Sequence, residues 1–131
     1  MAASTAPKKF DIFSRLSARR KFFDKQAAER GKWKSSGASY HAAMENYCRQ
    51  LMPAGRRVLE IGCAEGDLLA AVEPSFGVGV DISPEAVKMA SRKYPGLRFV
   101  AGYAEHLPLE GPFDYIIISD VIGLLDDVQK A

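Results

Sequence analysis

The fold is decided by the stretch Val58-Leu59-Glu60-Ile61-Gly62-Cys63-Ala64-Glu65-Gly66-Asp67-Leu68-Leu69. Its first residues form an apolar run that is too short for a helix, which predicts a buried strand. Gly62 and Gly66 then predict a turn with room for a ligand to approach the main chain. The free amide groups of the helix that follows favour negative or polar ligand groups. A strand, a glycine turn and a helix in this order are typical of the nucleotide-binding corner of a doubly wound α/β fold.

The composition is that of an ordinary globular protein. A length of 131 residues predicts one domain, with 47% hydrophobic and 26% charged residues. No segment approaches the length of a transmembrane span, and the N-terminus lacks the apolar core of a signal peptide. Cys48 and Cys63 do not have metal-ligand spacing, so we expect reduced thiols, no metal site and a cytoplasmic protein.

The charge is unevenly distributed along the chain. Residues 1–34 carry 10 Lys+Arg and 3 Asp+Glu, or +7, while the remainder carries 8 and 13, or −5, which together give the net charge of +2. The excess of basic residues in this segment is explained by a helix face exposed to solvent, and an anionic partner is the alternative explanation. No nucleic-acid motif is present, so no nucleic-acid partner is expected. We predict a basic tail and helix over 1–37 and a ligand-binding domain over 38–131.

Glycine, proline and capping residues divide the chain into further elements. Ser39 and Ser83 are the predicted N-caps of two helices, and Gly31 is predicted to end the first helix. The buried face of the helix after Ser39 is predicted to carry Ala43, Met44, Tyr47 and Leu51. The predicted helices cover 10–30, 39–51, 67–72, a segment from 84 to about 94 and a segment from 124; the predicted strands cover 58–61, 76–80, 97–101 and 113–119.

Strands that alternate with helices predict a Rossmann-like parallel sheet with helices on both faces and right-handed crossovers. The sheet is expected to be truncated after the fourth strand, which would lie at or near an edge. We therefore expect a fragment of a longer protein, or a chain that is completed by self-association at this edge.

Two acids narrow the ligand class. Asp81 lies 19 positions after Gly62, where an acid holds ribose hydroxyls in this architecture, although a simple helix-entry acid is the alternative. The dinucleotide pattern G-x-G-x-x-G fails, because Ala64 and Asp67 replace two glycines. Glu60 would repel a pyrophosphate and would attract an amino group, unless it faces solvent at the strand end.

Four segments resemble, in order, the motifs of class I S-adenosylmethionine-dependent methyltransferases. The resemblance covers about residues 40–131 and implies S-adenosylmethionine as the cofactor. The matching segments are Glu60–Gly66, Val78–Ser83, Ala104–Pro108 and Phe113–Tyr115 with Ser119–Val121. The residues implied for the methionine part and the methyl group are Glu60, Gly62, Cys63, Ala64, Gly66, Ser119 and Asp120; those implied for the ribose and adenine are Asp81, Ile82, Tyr103, Ala104 and Glu105.

The chain departs from the family pattern at three positions. Ala64 replaces the middle glycine of the first motif, which is tolerable at an ordinary φ and costly at a positive φ. Tyr103 stands where the family often has an acid for the adenine amino group, a contact that Glu105 could replace. Leu124 stands near where many small-molecule members carry a histidine.

The resemblance implies a methyltransferase, or its cofactor-binding half, that acts on a small molecule or a glycan. No catalytic residue is named, because methyl transfer from a sulfonium needs mainly positioning. His106 is a candidate general base, with a solvated loop histidine as the blander interpretation. A non-catalytic binding module and a nicotinamide-dependent oxidoreductase are the alternative functions, of which the oxidoreductase fits Ala64, Asp67 and Glu60 poorly.

Overall fold

The computed structural model describes residues 9–33, 38–106 and 109–119, with side chains for 17–29 in the first helix and from residue 39 onward in the second. The chain begins with two helices and continues as alternating strands and helices. Their bounds are α1 Lys9–Trp33, α2 Ala38–Leu51, β1 Arg57–Ile61, α3 Asp67–Ala71, β2 Phe76–Asp81, α4 Pro84–Lys93, β3 Arg98–Ala101 and β4 Tyr115–Ile118.

The four strands form one parallel sheet in the order β3-β2-β1-β4. Ile61 of β1 pairs with Val80 of β2 on one side and with Ile118 of β4 on the other. The predicted parallel, Rossmann-like class is therefore confirmed. Among the described residues β4 lies at an edge, as expected, and its Ile116 is 59% exposed.

Two apolar clusters cover the two faces of the sheet. On one face, Val58 and Ile117 pack against α2 and α3 through Cys48, Met52 and Leu69. The opposite face carries the second cluster, which the connection between β3 and β4 covers. That cluster contains Leu59, Ile61, Val78 and Val80, with Phe76, Ala104, Leu109 and Phe113 packed against it.

Two predictions for the N-terminal helices were wrong. Helix α1 continues past Gly31 to Trp33, because an internal glycine costs a helix only about 1 kcal/mol and no proline follows. Helix α2 begins at Ala38, so Ser39 lies inside its first turn. The remaining predicted bounds agree within two residues, and the predicted final helix lies outside the described residues.

The buried face of α2 differs from the predicted one. Met44 and Cys48 pack into the core, as does Met52 just after the helix, whereas Tyr47 is 59% and Leu51 57% exposed. Apolar residues cover about half of the helix circumference, so periodicity allowed either side of this arc to face the core. None of the helices in the described residues has the length and hydropathy needed to cross a membrane.

Candidate functional site

The candidate ligand-binding residues follow the strands where these end at one edge of the sheet. Gly62 follows β1, and Ser119 follows the neighbouring β4, whose Ile118 pairs with Ile61. Asp81 ends β2 and pairs with Ala101 of β3, after which the loop with Tyr103 begins. In the sheet, β2 lies on one side of β1 and β4 lies on the other, so the strand order reverses direction at β1. Ligands in this architecture bind at the carboxyl ends of the strands where the order reverses.

The turn after β1 is built by backbone hydrogen bonds that require left-handed residues. Gly62 and Cys63 donate their N–H groups to Val80 O, at 2.7 and 3.0 Å, and Gly66 donates to Cys63 O at 2.8 Å. Gly62 and Gly66 have φ of 81° and 83°. Ala64 has a φ of 49° and lies in the same left-handed region. Alanine in place of the family's middle glycine is therefore energetically costly here.

The turn lies close to β2 and β3 because glycine leaves space for Phe99. A Cβ on Gly66 would lie 2.6 Å from a Phe99 ring carbon. A Cβ on Gly79 would lie 2.7 Å from the same ring and 2.9 Å from Cys63 Sγ. The ring therefore fixes the start of α3 against the sheet, although Phe99 was not among the residues predicted from the sequence.

Glu60 is buried beneath the turn and does not face solvent. Its side chain is 3% exposed, and its Oε2 has no hydrogen-bond partner among the described residues. The pKa of Glu60 is raised to about 8, mainly by burial and to a smaller extent by the nearby Asp81 and Asp67, while a hydrogen bond with the Leu69 backbone lowers it. A buried carboxyl group with an unused oxygen is able to bind a donor, and an ionised one favours a cation.

The Asp81 carboxylate joins the two turns of the site. Its Oδ2 accepts from Ala64 N at 2.8 Å, and its Oδ1 accepts from Ser83 N at 2.9 Å. Each oxygen can accept a second hydrogen bond, which leaves capacity for a diol. Asp81 is therefore both a helix-entry acid and a link to the glycine turn, so the two interpretations of this residue are compatible.

The loop after β3 lies beside the end of β2. Gly102 N donates to Asp81 O at 2.9 Å, which brings the loop segment Tyr103–Glu105 near Asp81. His106 is exposed, and its N–H donates to Tyr103 O at 2.9 Å. The two rings of Tyr103 and His106 meet edge to face with centroids 6.4 Å apart.

The other predicted residues lie around the same edge. Ile82 is half-buried between Asp81 and the start of α4, and Ser119 is half-buried beyond β4. Asp120 and Leu124 lie outside the described residues. No group of three or more His, Cys, Asp or Glu side chains in the described ranges is arranged to hold a metal ion.

A charged cluster connects the start of α3 to the end of α4. Lys93 Nζ lies 2.6 Å from Asp67 Oδ1 and 3.8 Å from Glu65 Oε2, and the Tyr94 hydroxyl donates to the same Asp67 oxygen. The hydrogen bond to Asp67 raises the pKa of Lys93. These contacts hold the helix that follows the glycine turn in place.

Asp24 is a second residue of the site region that was not predicted from the sequence. It projects from α1 and accepts from Ser83 Oγ at 2.5 Å, across 59 positions of sequence. No local pattern indicates such a contact, because the partner lies on a distant turn. The buried hydroxyl of Ser83 accepts in turn from Ala86 N at 3.1 Å, as predicted for an N-cap.

Comparison with solved structures gives one consistent fold. A putative methyltransferase in complex with the Haloferax volcanii Trm112 methyltransferase activator is 26% identical, with a TM-score of 0.66 over 80% of this chain and 50% of that chain. A possible histamine N-methyltransferase from Thermotoga maritima has a TM-score of 0.69 at 24% identity, over 85% of this chain and 52% of that chain. The second likeness shows the fold alone.

Curated relatives share the central part of the chain. The phthiotriol/phenolphthiotriol dimycocerosates methyltransferase of Mycobacterium leprae is 36% identical over 75 residues, which cover 52% of this chain and 28% of that protein. The demethylmenaquinone methyltransferase of Chlorobaculum tepidum is 35% identical over 57 residues, which cover 41% of this chain and 24% of that protein. The chain thus spans about a quarter of the length of these relatives.

A family profile described as "Methyltransferase domain" matches residues 58–131, which is more than half of the chain. The match begins at β1 and includes the glycine turn and Asp81. The predicted resemblance to S-adenosylmethionine-dependent methyltransferases is confirmed, and the chain belongs to the methyltransferase-domain family.

Proposed function

We propose that this chain binds S-adenosylmethionine and forms the cofactor-binding part of a methyltransferase that acts on a small molecule. The observation that carries the proposal is Glu60, a buried acid beneath the glycine turn whose Oε2 has no hydrogen-bond partner in the described part of the chain. A carboxylate at this place is electrostatically suited to the amino group of the methionine part and unsuited to a pyrophosphate. The family membership supports the same cofactor.

The site residues fit this cofactor. Glu60 and the turn over 62–66 would hold the methionine part, while Asp81 offers free acceptor capacity on both carboxylate oxygens to the ribose diol. Ile82 and the loop Tyr103–Glu105 would border the adenine, since Gly102 ties this loop to the end of β2. Ser119 and Asp120 remain the proposed neighbours of the transferred methyl group.

The bound cofactor supplies an already activated methyl group, so the protein has to orient it and exclude water. The rigid parts of the site contribute to this orientation, since Phe99 fixes the start of α3 and Asp81 holds the turn through Ala64 N. No catalytic base is proposed, and His106 remains a candidate only. The acceptor is proposed to be a small molecule, because the curated relatives are named for a phthiotriol dimycocerosate and for demethylmenaquinone.

A calorimetric titration with S-adenosylmethionine, S-adenosylhomocysteine and NAD tests the cofactor. We expect the two sulfur compounds to bind, NAD not to bind, and Glu60→Gln to weaken both bound compounds. The matched control is Glu110→Gln, which removes an exposed carboxylate from the loop before β4. Binding of NAD alone would refute the proposal, and binding without methyl transfer to any small-molecule acceptor would favour a non-catalytic binding module.

Two further assignments are proposals with their own tests. We expect a cytoplasmic protein without a nucleic-acid partner, to be tested by fractionation of cells and by titration with duplex DNA and RNA. We also propose self-association through β4, whose Ile116 and Ile118 are 59% and 38% exposed at the sheet edge. Sedimentation of the wild-type chain and of Ile116→Lys at several concentrations would show whether this strand mediates it.

A further inference from the structure

Helix α1 lies outside the stretch that matches the family profile, but it contacts the turn that follows Asp81. Ala27, in the second half of α1, is 2% exposed, and α1 packs against α4. One turn earlier, Asp24 reaches the start of α4, where its Oδ1 accepts from Ser83 Oγ at 2.5 Å and from Glu85 N at 3.4 Å. The first contact is a short, charge-assisted hydrogen bond, and the second is long.

The hydroxyl oxygen, the hydroxyl proton and the backbone N–H of Ser83 each take part in a different hydrogen bond. Its Oγ accepts from Ala86 N, so the hydroxyl proton needs an acceptor of its own, and Asp24 provides it. Its backbone N–H donates to Asp81 Oδ1 at 2.9 Å. Because Ser83 is only 1% exposed, water does not readily replace Asp24 as the acceptor.

A continuous chain of hydrogen bonds therefore runs from α1 to the glycine turn. It passes from Asp24 to the Ser83 hydroxyl, from the Ser83 N–H to Asp81, and from Asp81 Oδ2 to Ala64 N at 2.8 Å. The orientation of the Asp81 carboxylate depends on both backbone donors. The position of the Ser83 N–H depends on the Ser83 side chain, which Asp24 holds by a hydrogen bond. The loss of Asp24 should therefore shift this N–H.

We infer that Asp24 is a positioning residue for cofactor binding, because its hydrogen bond to Ser83 fixes the turn that orients Asp81 toward the ribose. This inference rests on the proposed function. Asp24 touches no part of the cofactor site itself, and it acts through the Ser83 hydroxyl. Helix α1 is then part of the binding machinery and not merely a cover for α4.

The test is a double-mutant cycle on S-adenosylhomocysteine and adenosine affinity. We expect Asp24→Ala to weaken both ligands by about tenfold, the lower end of the loss for a charge-assisted hydrogen bond. Asp24→Asn, which keeps an oxygen acceptor for Ser83, should stay within about threefold of the wild type. In a Ser83→Ala background, Asp24→Ala should have almost no further effect, because the hydroxyl through which it acts is absent.

The controls separate positioning from general destabilisation. Phe23→Leu reduces the packing of the same half-buried stretch of α1 and keeps Asp24, so it should lower the melting temperature and leave the affinity unchanged. If Asp24→Ala does not fold, Asp24→Ser takes its place in the cycle. Unchanged affinity in Asp24→Ala, or equal losses from this substitution in both Ser83 backgrounds, would overturn the inference. If the wild-type chain still binds the ligands, the proposed cofactor is unaffected by that result. Absence of wild-type binding would overturn both.

Discussion

Cofactor binding is expected to depend on pH through Glu60. Burial raises the pKa of this carboxyl group to about 8, so at pH 7 about nine-tenths of the free protein carries a protonated Glu60. A bound ammonium group favours the ionised form. Binding at pH 7 should therefore release about one proton, and the affinity should increase about tenfold per pH unit below pH 8 and level off above it.

Titration calorimetry with S-adenosylhomocysteine at pH 6, 7 and 8, in phosphate and in Tris, measures both quantities. The difference in heat between the two buffers gives the number of protons released. Glu60→Gln should bind more weakly, without the pH dependence and without the proton release. His106→Asn is the control, because it removes an exposed histidine from the loop after β3 and should leave the profile unchanged.

The same residue predicts an opposite effect on stability. The folded-state pKa of Glu60 lies above the ordinary value of 4.5, so the folded protein holds this proton more tightly than the unfolded chain does. The contribution of this proton to the free energy of unfolding is complete below about pH 4.5 and is lost as the pH rises to about 8. Each pKa unit corresponds to about 1.4 kcal/mol, so Glu60→Gln should gain a few kcal/mol over the wild type between pH 5 and pH 9.

The difference in stability between Glu60→Gln and the wild type is measured at pH 5 and at pH 9. The change in this difference between the two pH values cancels any difference in packing between Gln and Glu at this position. Urea unfolding of the ligand-free proteins gives the required free energies. An affinity that is constant from pH 6 to pH 8, together with equal stability differences at pH 5 and pH 9, would show that Glu60 is not the buried acid of the binding site.

Three further predictions concern the turn and its supports. Asp81→Ala should weaken S-adenosylhomocysteine by about 1–3 kcal/mol, and unchanged affinity in calorimetry would remove Asp81 from the site. Ala64→Gly should raise the free energy of unfolding by about 1 kcal/mol, because it removes a Cβ at a φ of 49°; a lower melting temperature would contradict this. Gly55→Ala and Gly66→Ala separate two costs. Both glycines have positive φ, but a Cβ on Gly55 meets nothing within 4 Å, whereas one on Gly66 meets Phe99 at 2.6 Å. We expect a loss of about 1 kcal/mol for Gly55→Ala and at least twice that for Gly66→Ala, measured by urea unfolding, and equal losses would mean that Phe99 moves aside freely.

The strands and the edge that carries the site could be predicted because their signals are local. Short apolar runs bounded by glycine marked the strands, and the N-cap at Ser83 followed from Ser-Pro-Glu alone. Parallel strands place their carboxyl ends at one edge of a sheet, and Gly62, Asp81 and Ser119 all lie at such strand ends.

The energetic properties of the site could not be predicted in the same way. Whether Glu60 faces solvent or the core depends on how α3 covers the strand, which is a tertiary property. The φ of Ala64 depends on the two hydrogen bonds that close its turn, and the sequence left both possibilities open. The contact between Asp24 and Ser83 joins residues 59 positions apart, beyond the reach of periodicity or capping patterns.

Two features that cost free energy lie at the proposed cofactor site. One turn contains an alanine with a φ of 49° and covers a carboxyl group with a buried oxygen that finds no partner within residues 9–33, 38–106 and 109–119. Neither feature stabilises the free protein, and a ligand amino group would relieve the second. Ligand binding should therefore raise the melting temperature more at pH 8, where the free protein carries the larger cost of an ionised Glu60, than at pH 6, where that group is protonated. A generic structural acid would give the same shift at both pH values, so this comparison separates a site built for a cation from a buried charge that is only tolerated.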